Sequence, residues 1–208
     1  MHTGFKKNLN YLYNLFLFFY LILGFYFAIN TGISTDEFID QYNWSLSFEV
    51  IKKFIFNIGD DKFEILNYEW RFHGIGFHYV SQIYLYIIDK IINFENFNDD
   101  VSQILMNHGL IFLTFFLSGI YSKKILNLII KDHGASKVFL VFYLLFPYLL
   151  GHGFYNPKDM PFLFLWILST YLCLKIFIKI FIDKKINYTS IFLLSLSTAF
   201  LFSIRISG

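Results

Sequence analysis

The sequence predicts an all-α polytopic membrane protein: about five transmembrane helices, and a long first extracytoplasmic loop carrying interfacial amphipathic helices. Three observations predict it. Hydrophobic residues make up 56% of the 208 and charged residues only 15%, where a soluble domain would be ~25% charged. The apolar residues gather in runs long enough to cross ~30 Å of hydrocarbon at ~1.5 Å per residue. The lysines gather on alternate connections between those runs, which is the bias of the positive-inside rule. The single cysteine, Cys173, excludes an intrachain disulfide and a cysteine metal cluster. The wealth of Phe, Tyr, Ile, Asn and Lys reads as coding bias, so no cofactor box is read into the phenylalanines.

The first span, residues 11–29, follows Lys6 and Lys7. It is longer and bulkier than a signal-peptide core, which is ~7–15 residues and ends in small ones. Residues 30–102 form a polar loop with twelve of the fifteen acidic residues. Within it, Phe48, Ile51, Phe54, Ile55 and Ile58 make one apolar stripe. Val80, Ile83, Tyr84, Ile87, Ile88, Ile91 and Ile92 make a cleaner one at helical spacing. Both fit helices lying in the membrane interface, apolar face towards lipid. Gln82, Asp89 and Lys90 argue against residues 74–94 as a span. The remaining spans are 104–121, 138–150 (with Pro147 near its outer end), 162–181 and 188–204. The chain stops four residues later, so a fragment or a truncated reading frame is expected.

The stretch from Gly151 to Phe162 joins the third and fourth spans. It holds His152, Asn156, Lys158 and Asp159, with two glycines and two prolines expected to break the helices into a tight hairpin. A cytoplasmic N-terminus puts Lys6, Lys7, Lys123, Lys124, Lys131, Lys137, Lys175, Lys179, Lys184 and Lys185 inside. The outer short connections then keep only Lys158 and Arg205. The Asp36-Glu37 pair, after the first span, falls on that outer face too. Each group also has an ordinary reading. The acidic pair serves as a polar cap, Lys158 and Asp159 pair with each other in a solvated turn, and Arg205 is an interfacial anchor. His108 reads as a helix-packing residue, and His73 and His78 as decoration on an interfacial helix.

Four stretches together resemble the GT-C superfamily of integral-membrane glycosyltransferases, in particular dolichyl-phosphate-mannose protein mannosyltransferases and their bacterial relatives. The first is Asp36-Glu37 directly after a first span. Trp70-Arg71-Phe72-His73-Gly74 resembles an Arg-Tyr-Tyr-Gly element late in that family's first outer loop. Asn156-Pro157-Lys158-Asp159 resembles its Asn-Pro-Lys-Asp element between the third and fourth spans. Ser203-Ile204-Arg205-Ile206-Ser207-Gly208 resembles its arginine-glycine end of the fifth span. The Asp-Glu pair alone is a weak signal, whereas the Asn-Pro-Lys-Asp element at this topological place is fairly specific.

The resemblance implies transfer of a sugar from a polyprenyl-phosphate donor to a hydroxyl acceptor on protein, lipid or glycan, with inversion. It implies a bacterial inner membrane, an extracytoplasmic active face and no nucleic-acid partner. Asp36 is the expected general base, with Glu37 second, because a hydroxyl nucleophile needs a carboxylate to take its proton. Arg205, assisted by Lys158, is expected at the lipid phosphate, where negative charge develops. Asp159 matches the second acidic position, holding sugar hydroxyls, the acceptor or Lys158. His152, Asn156, Arg71 and His73 are candidates for phosphate or sugar contacts. No cofactor is expected. A divalent cation is not favoured, since Asp159 stands alone where a paired Asp-x-Asp would offer the several oxygens a hard cation wants. Two other classes compete: a transporter or channel subunit, and a catalytically inactive membrane partner.

Overall fold

The computed structural model describes residues 2–57, 64–67, 69, 74–92, 100–182 and 184–205. Arg71 and His73, and the segment 206–208, lie outside the described residues. The described chain is helical with no strand: α1 (His2–Ile29), α2 (Thr35–Phe56), a 3-10 turn (Glu64–Asn67), α3 (Gly76–Ile92), α4 (Asp100–Ile130), α5 (His133–Leu145), α6 (Pro147–Tyr155), α7 (Asp159–Phe181) and α8 (Tyr188–Ile204). Three helices are long and apolar enough to cross a membrane: Leu9–Ile29 within α1, α4 and α7. A fourth crossing follows if α5 and α6 are taken as one bent span, and α8 is a shorter apolar helix. The protein is therefore an all-α polytopic membrane protein. Its outer faces carry Phe18, Ile22, Phe142, Trp166 and Phe192, all exposed, as lipid-facing positions are.

The organising helix is α4, which packs against α1, α3, α5, α6 and α7. Its Ile111, Phe112 and Phe115 are fully buried with Leu140 and Leu144 of α5. Small residues set the spacing, as is common where membrane helices cross closely. A Cβ on Gly24 would meet the Phe112 ring at 2.0 Å, and one on Gly109 would meet the Phe25 ring at 2.5 Å. Between α7 and α8 the Ser169 and Ser197 hydroxyls pair at 2.9 Å.

The third span, expected over 138–150, is longer and bent, made of α5 and α6. The chain bends by 60° between α5 and α6, because Pro147 has no N–H to continue the helix and sits instead at the first turn of α6. The break frees carbonyls that lipid cannot satisfy. Tyr20 of α1 answers one of them, donating its hydroxyl to the Leu144 carbonyl at 2.5 Å. The glycines expected to break the helix do not: Gly151 and Gly153 both lie inside α6. Gly153 is buried, and a Cβ there would meet the Phe115 ring at 2.9 Å, so its role is close approach to α4. The second span is likewise longer than 104–121, since α4 runs from Asp100 to Ile130 and carries Lys123 and Lys124 as helical residues rather than as a loop.

Both amphipathic stretches of the long loop are helices, α2 and α3. Much of each apolar stripe faces outward, with Phe54, Ile55, Ile83, Ile87 and Ile91 exposed, whereas Tyr84 packs against the core and Ile58 lies outside the described residues. The inward face of α2 carries Glu37, Asp40, Asn43 and Trp44 instead, and that of α3 carries Phe77, His78, Ser81 and Leu85. The inward face of α2 is thus mainly polar around Trp44, whereas α3 buries Phe77 and Leu85 beside His78 and Ser81.

A candidate functional site at one end of the bundle

The site begins at the start of α2. Ser34 is the extended N-cap residue, and the Glu37 carboxylate reaches back to accept from the Ser34 N–H at 2.7 Å. This is the backward half of a capping box. Starting the helix here turns residues 37, 40, 41 and 44 onto one face, at i, i+3, i+4 and i+7. Asp36 falls beside that face, exposed on the first turn. Among the described residues it has no ion pair or hydrogen bond.

Glu37 is not free in the same way. Its second oxygen lies 2.5 Å from His108 Nε2, and His108 Nδ1 lies 3.2 Å from the Ala28 carbonyl. His108 is wholly buried. Its Nδ1 faces a carbonyl, which only accepts, so Nδ1 donates. One further proton then lies between Nε2 and the carboxylate. His108 therefore ties α4 to the last turn of α1 and the first turn of α2, which is the packing role its position suggests.

The Asn156-Pro157-Lys158-Asp159 turn is organised by its first residue. Asn156 Oδ1 accepts from the backbone N–H of Asp159 at 2.8 Å and of Lys158 at 3.2 Å, so an Asx-type turn launches α7. Asn156 Nδ2 donates to Asp159 Oδ2 at 3.1 Å and to His152 Nδ1 at 3.0 Å. The ring of His152 packs near Tyr148 and Tyr155. Lys158 and Asp159 do not pair with each other as the solvated-turn reading expects. Lys158 Nζ reaches the buried Asp40 at 2.6 Å, and Asp159 Oδ1 meets Arg205 NH1 at 2.7 Å. Adjacent residues on a tight turn point apart, so each finds a partner on a different helix.

The Asp159–Arg205 pair is about half exposed on both sides. It joins the start of α7 to the end of α8. That end is itself closely approached by the entry into α3: a Cβ on Gly74 would sit 2.2 Å from the Ile204 carbonyl, and one on Gly76 would sit 2.0 Å from the Ser203 hydroxyl. Behind the ion pairs lies a cavity of about 20 Å³, lined by Glu37, Gln41, His78, Asn107 and Pro157 among others. His78 Nδ1 and Asn107 Oδ1 are buried there with no hydrogen-bond partner. Burial, with the nearby Lys158 ammonium second, pushes the His78 imidazole down from 6.5 to about 4.

That depression has a measurable consequence. Between pH 6.5 and 4 the unfolded chain would protonate His78 while the folded chain would not, so stability falls as pH is lowered through this window. The loss levels off below about pH 4, at no more than about 3 kcal/mol. Thermal unfolding in detergent at stepped pH should show this slope in the wild type and lose it in His78→Gln. Equal slopes would assign the acid sensitivity to other groups.

Of the residues singled out in the sequence, the fold gathers Glu37, His152, Asn156, Lys158, Asp159 and Arg205 at one end of the bundle. Asp36 lies beside Glu37 but turns outward, and Arg71 and His73 lie outside the described residues. Asp40 was not singled out, yet it holds Lys158. The signal was available: Ser34 and Glu37 stand three apart, in the S-x-x-E pattern that starts a helix, and a helix starting there puts Asp40 on the Glu37 face. The buried ionisable groups among the described residues are Glu37, Asp40, His78 and His108, all at this end and none along the middle of a span. No group of three or more His, Cys, Asp or Glu among the described residues could hold a metal ion. Comparison with family models, curated proteins and solved structures returned no match.

Proposed function

We propose that the chain is the N-terminal part of a GT-C-like membrane glycosyltransferase. It moves a sugar from a polyprenyl-phosphate donor to a hydroxyl acceptor, with inversion at the anomeric carbon. The lysine distribution supports a cytoplasmic N-terminus and an extracytoplasmic active face, and the resemblance implies a bacterial inner membrane. One observation carries the reading: the half-exposed Asp159–Arg205 pair, held in place by Asn156 and by the contacts of Gly74 and Gly76. A guanidinium with a single described contact keeps other N–H groups of its planar fork for a phosphate, which it recognises bidentately. The neighbouring carboxylates supply acceptors for sugar hydroxyls and, at Asp36, a base. The grouping of buried ionisable residues at one end favours surface chemistry over a transport path, which would place polar groups near the bilayer midplane.

A second reading, an inactive membrane partner, draws on a different observation. Both cations are already neutralised, Lys158 by Asp40 and Arg205 by Asp159. Donor binding separates the two. Arg205→Ala should weaken binding of a polyprenyl-phosphate sugar by about tenfold or more, the worth of a charge-assisted hydrogen bond. Arg205→Lys should recover only part of it. Unchanged donor binding in Arg205→Ala would leave the pair as a structural tie between α7 and α8, and would favour the inactive partner.

A further inference from the structure

At the opposite end of α1 a groove runs between its Leu9–Phe16 stretch and the start of α5, with a volume of about 790 Å³. That lies within the ~300–1,000 Å³ of small-molecule sites. We propose that this groove binds one anionic phospholipid, its phosphate at the Tyr13 end beside Lys137, with Lys123 near the same ring, and an acyl chain along the apolar wall. This inference does not depend on the transferase reading.

The polar end is built around Tyr13. Lys123 Nζ lies 5.0 Å and Lys137 Nζ 5.3 Å from the centroid of the same ring. Lys137 also donates to the Asn10 side-chain oxygen. The Tyr13 hydroxyl is buried without a hydrogen-bond partner. Neither ammonium has a carboxylate partner among the described residues, and the ring quadrupole balances only part of each charge. The acid beside them, Asp132, is engaged elsewhere: it caps α5, accepting from Gly134 N at 2.7 Å and Ala135 N at 3.2 Å. A phosphate at this end would offset the charge of both cations.

The rest of the groove decides between occupants. Leu9, Leu12, Phe16, Val138 and Val141 line it, and Leu9, Leu12 and Val138 are exposed. An inorganic phosphate would leave that wall bare. A second copy of this chain would bring its own lysines against these. A phospholipid matches both parts, since basic residues beside a membrane helix attract anionic headgroups at about fivefold per lysine.

The purified chain in neutral detergent micelles can be titrated with fluorescent phosphatidylglycerol and, in parallel, phosphatidylcholine. Phosphatidylglycerol should bind at least about tenfold more tightly. Lys123→Gln with Lys137→Gln should remove that preference, about fivefold for each lysine. Val138→Trp, which fills the groove and leaves the lysines alone, should lower the affinity for both lipids and so tests the site even if the double variant fails to fold. Lys175→Gln with Lys179→Gln, away from the groove, should change nothing. The proposal fails if the two lipids bind equally, or if the distant lysine pair matters as much as the groove pair. It also fails if inorganic phosphate displaces the lipid with matching affinity, or if the groove variants change a monomer–dimer equilibrium instead.

Discussion

Asp36→Asn is expected to reduce sugar transfer by roughly 10²–10⁴-fold while leaving donor affinity nearly intact. The substitution keeps size and hydrogen bonding and removes only the ability to take a proton. Asp36 suits the role because its surroundings leave it available. It is exposed on the first turn of α2, with no partner among the described residues. Its position is nonetheless rigid, because the next residue, Glu37, is bonded on both oxygens, to Ser34 N and to His108. Glu37 is the poorer candidate for the same reason, since a base whose lone pairs are engaged must first break those bonds. The measurement is turnover of a polyprenyl-phosphate sugar alongside donor binding, in the full-length protein. Near-normal turnover in Asp36→Asn, with a large loss in Asp159→Asn, would move the base to α7.

Glu37→Ala should have the largest effect on stability, about 2–4 kcal/mol, as expected when a buried side chain loses its hydrogen-bond partner and a helix start loses its cap. It strips His108, wholly buried, of the group facing Nε2, and it removes the acceptor that closes the start of α2. A double-mutant cycle with His108→Ala should return a coupling of about 1–3 kcal/mol, because the two residues share one interaction. Thermal unfolding in detergent measures both. A cost below about 1 kcal/mol would mean that α2 is held by Trp44 and its neighbours rather than by the buried pair.

These two residues stand next to each other, and the sequence marks them as a pair without dividing the roles. The division comes from helix geometry: at about 100° per residue, two neighbours cannot share a face. The same argument explains why Lys158 and Asp159 part company across their turn. It also explains Asp40, whose importance depends on Lys158, more than a hundred positions away.

Composition, run length and lysine placement determined the membrane class, and the apolar runs located α1, α7 and α8 closely, with residues 188–204 coinciding with α8. Those features are local: a hydrophobic run must leave water whatever it packs against. The periodic stripes also marked α2 and α3, because an apolar face at helical spacing is visible along the chain. The size of the bend beside Pro147 and the helical state of the glycines were decided only by the tertiary structure. Glycine reads as a breaker from propensity alone, yet Gly153 lies inside α6, where the Phe115 ring occupies the space a side chain would need. The partners of Glu37, Lys158 and Arg205 were likewise decided by the fold, since a buried or half-buried charge pairs with whichever opposite group the helix packing brings within reach, and sequence spacing carries no record of that distance.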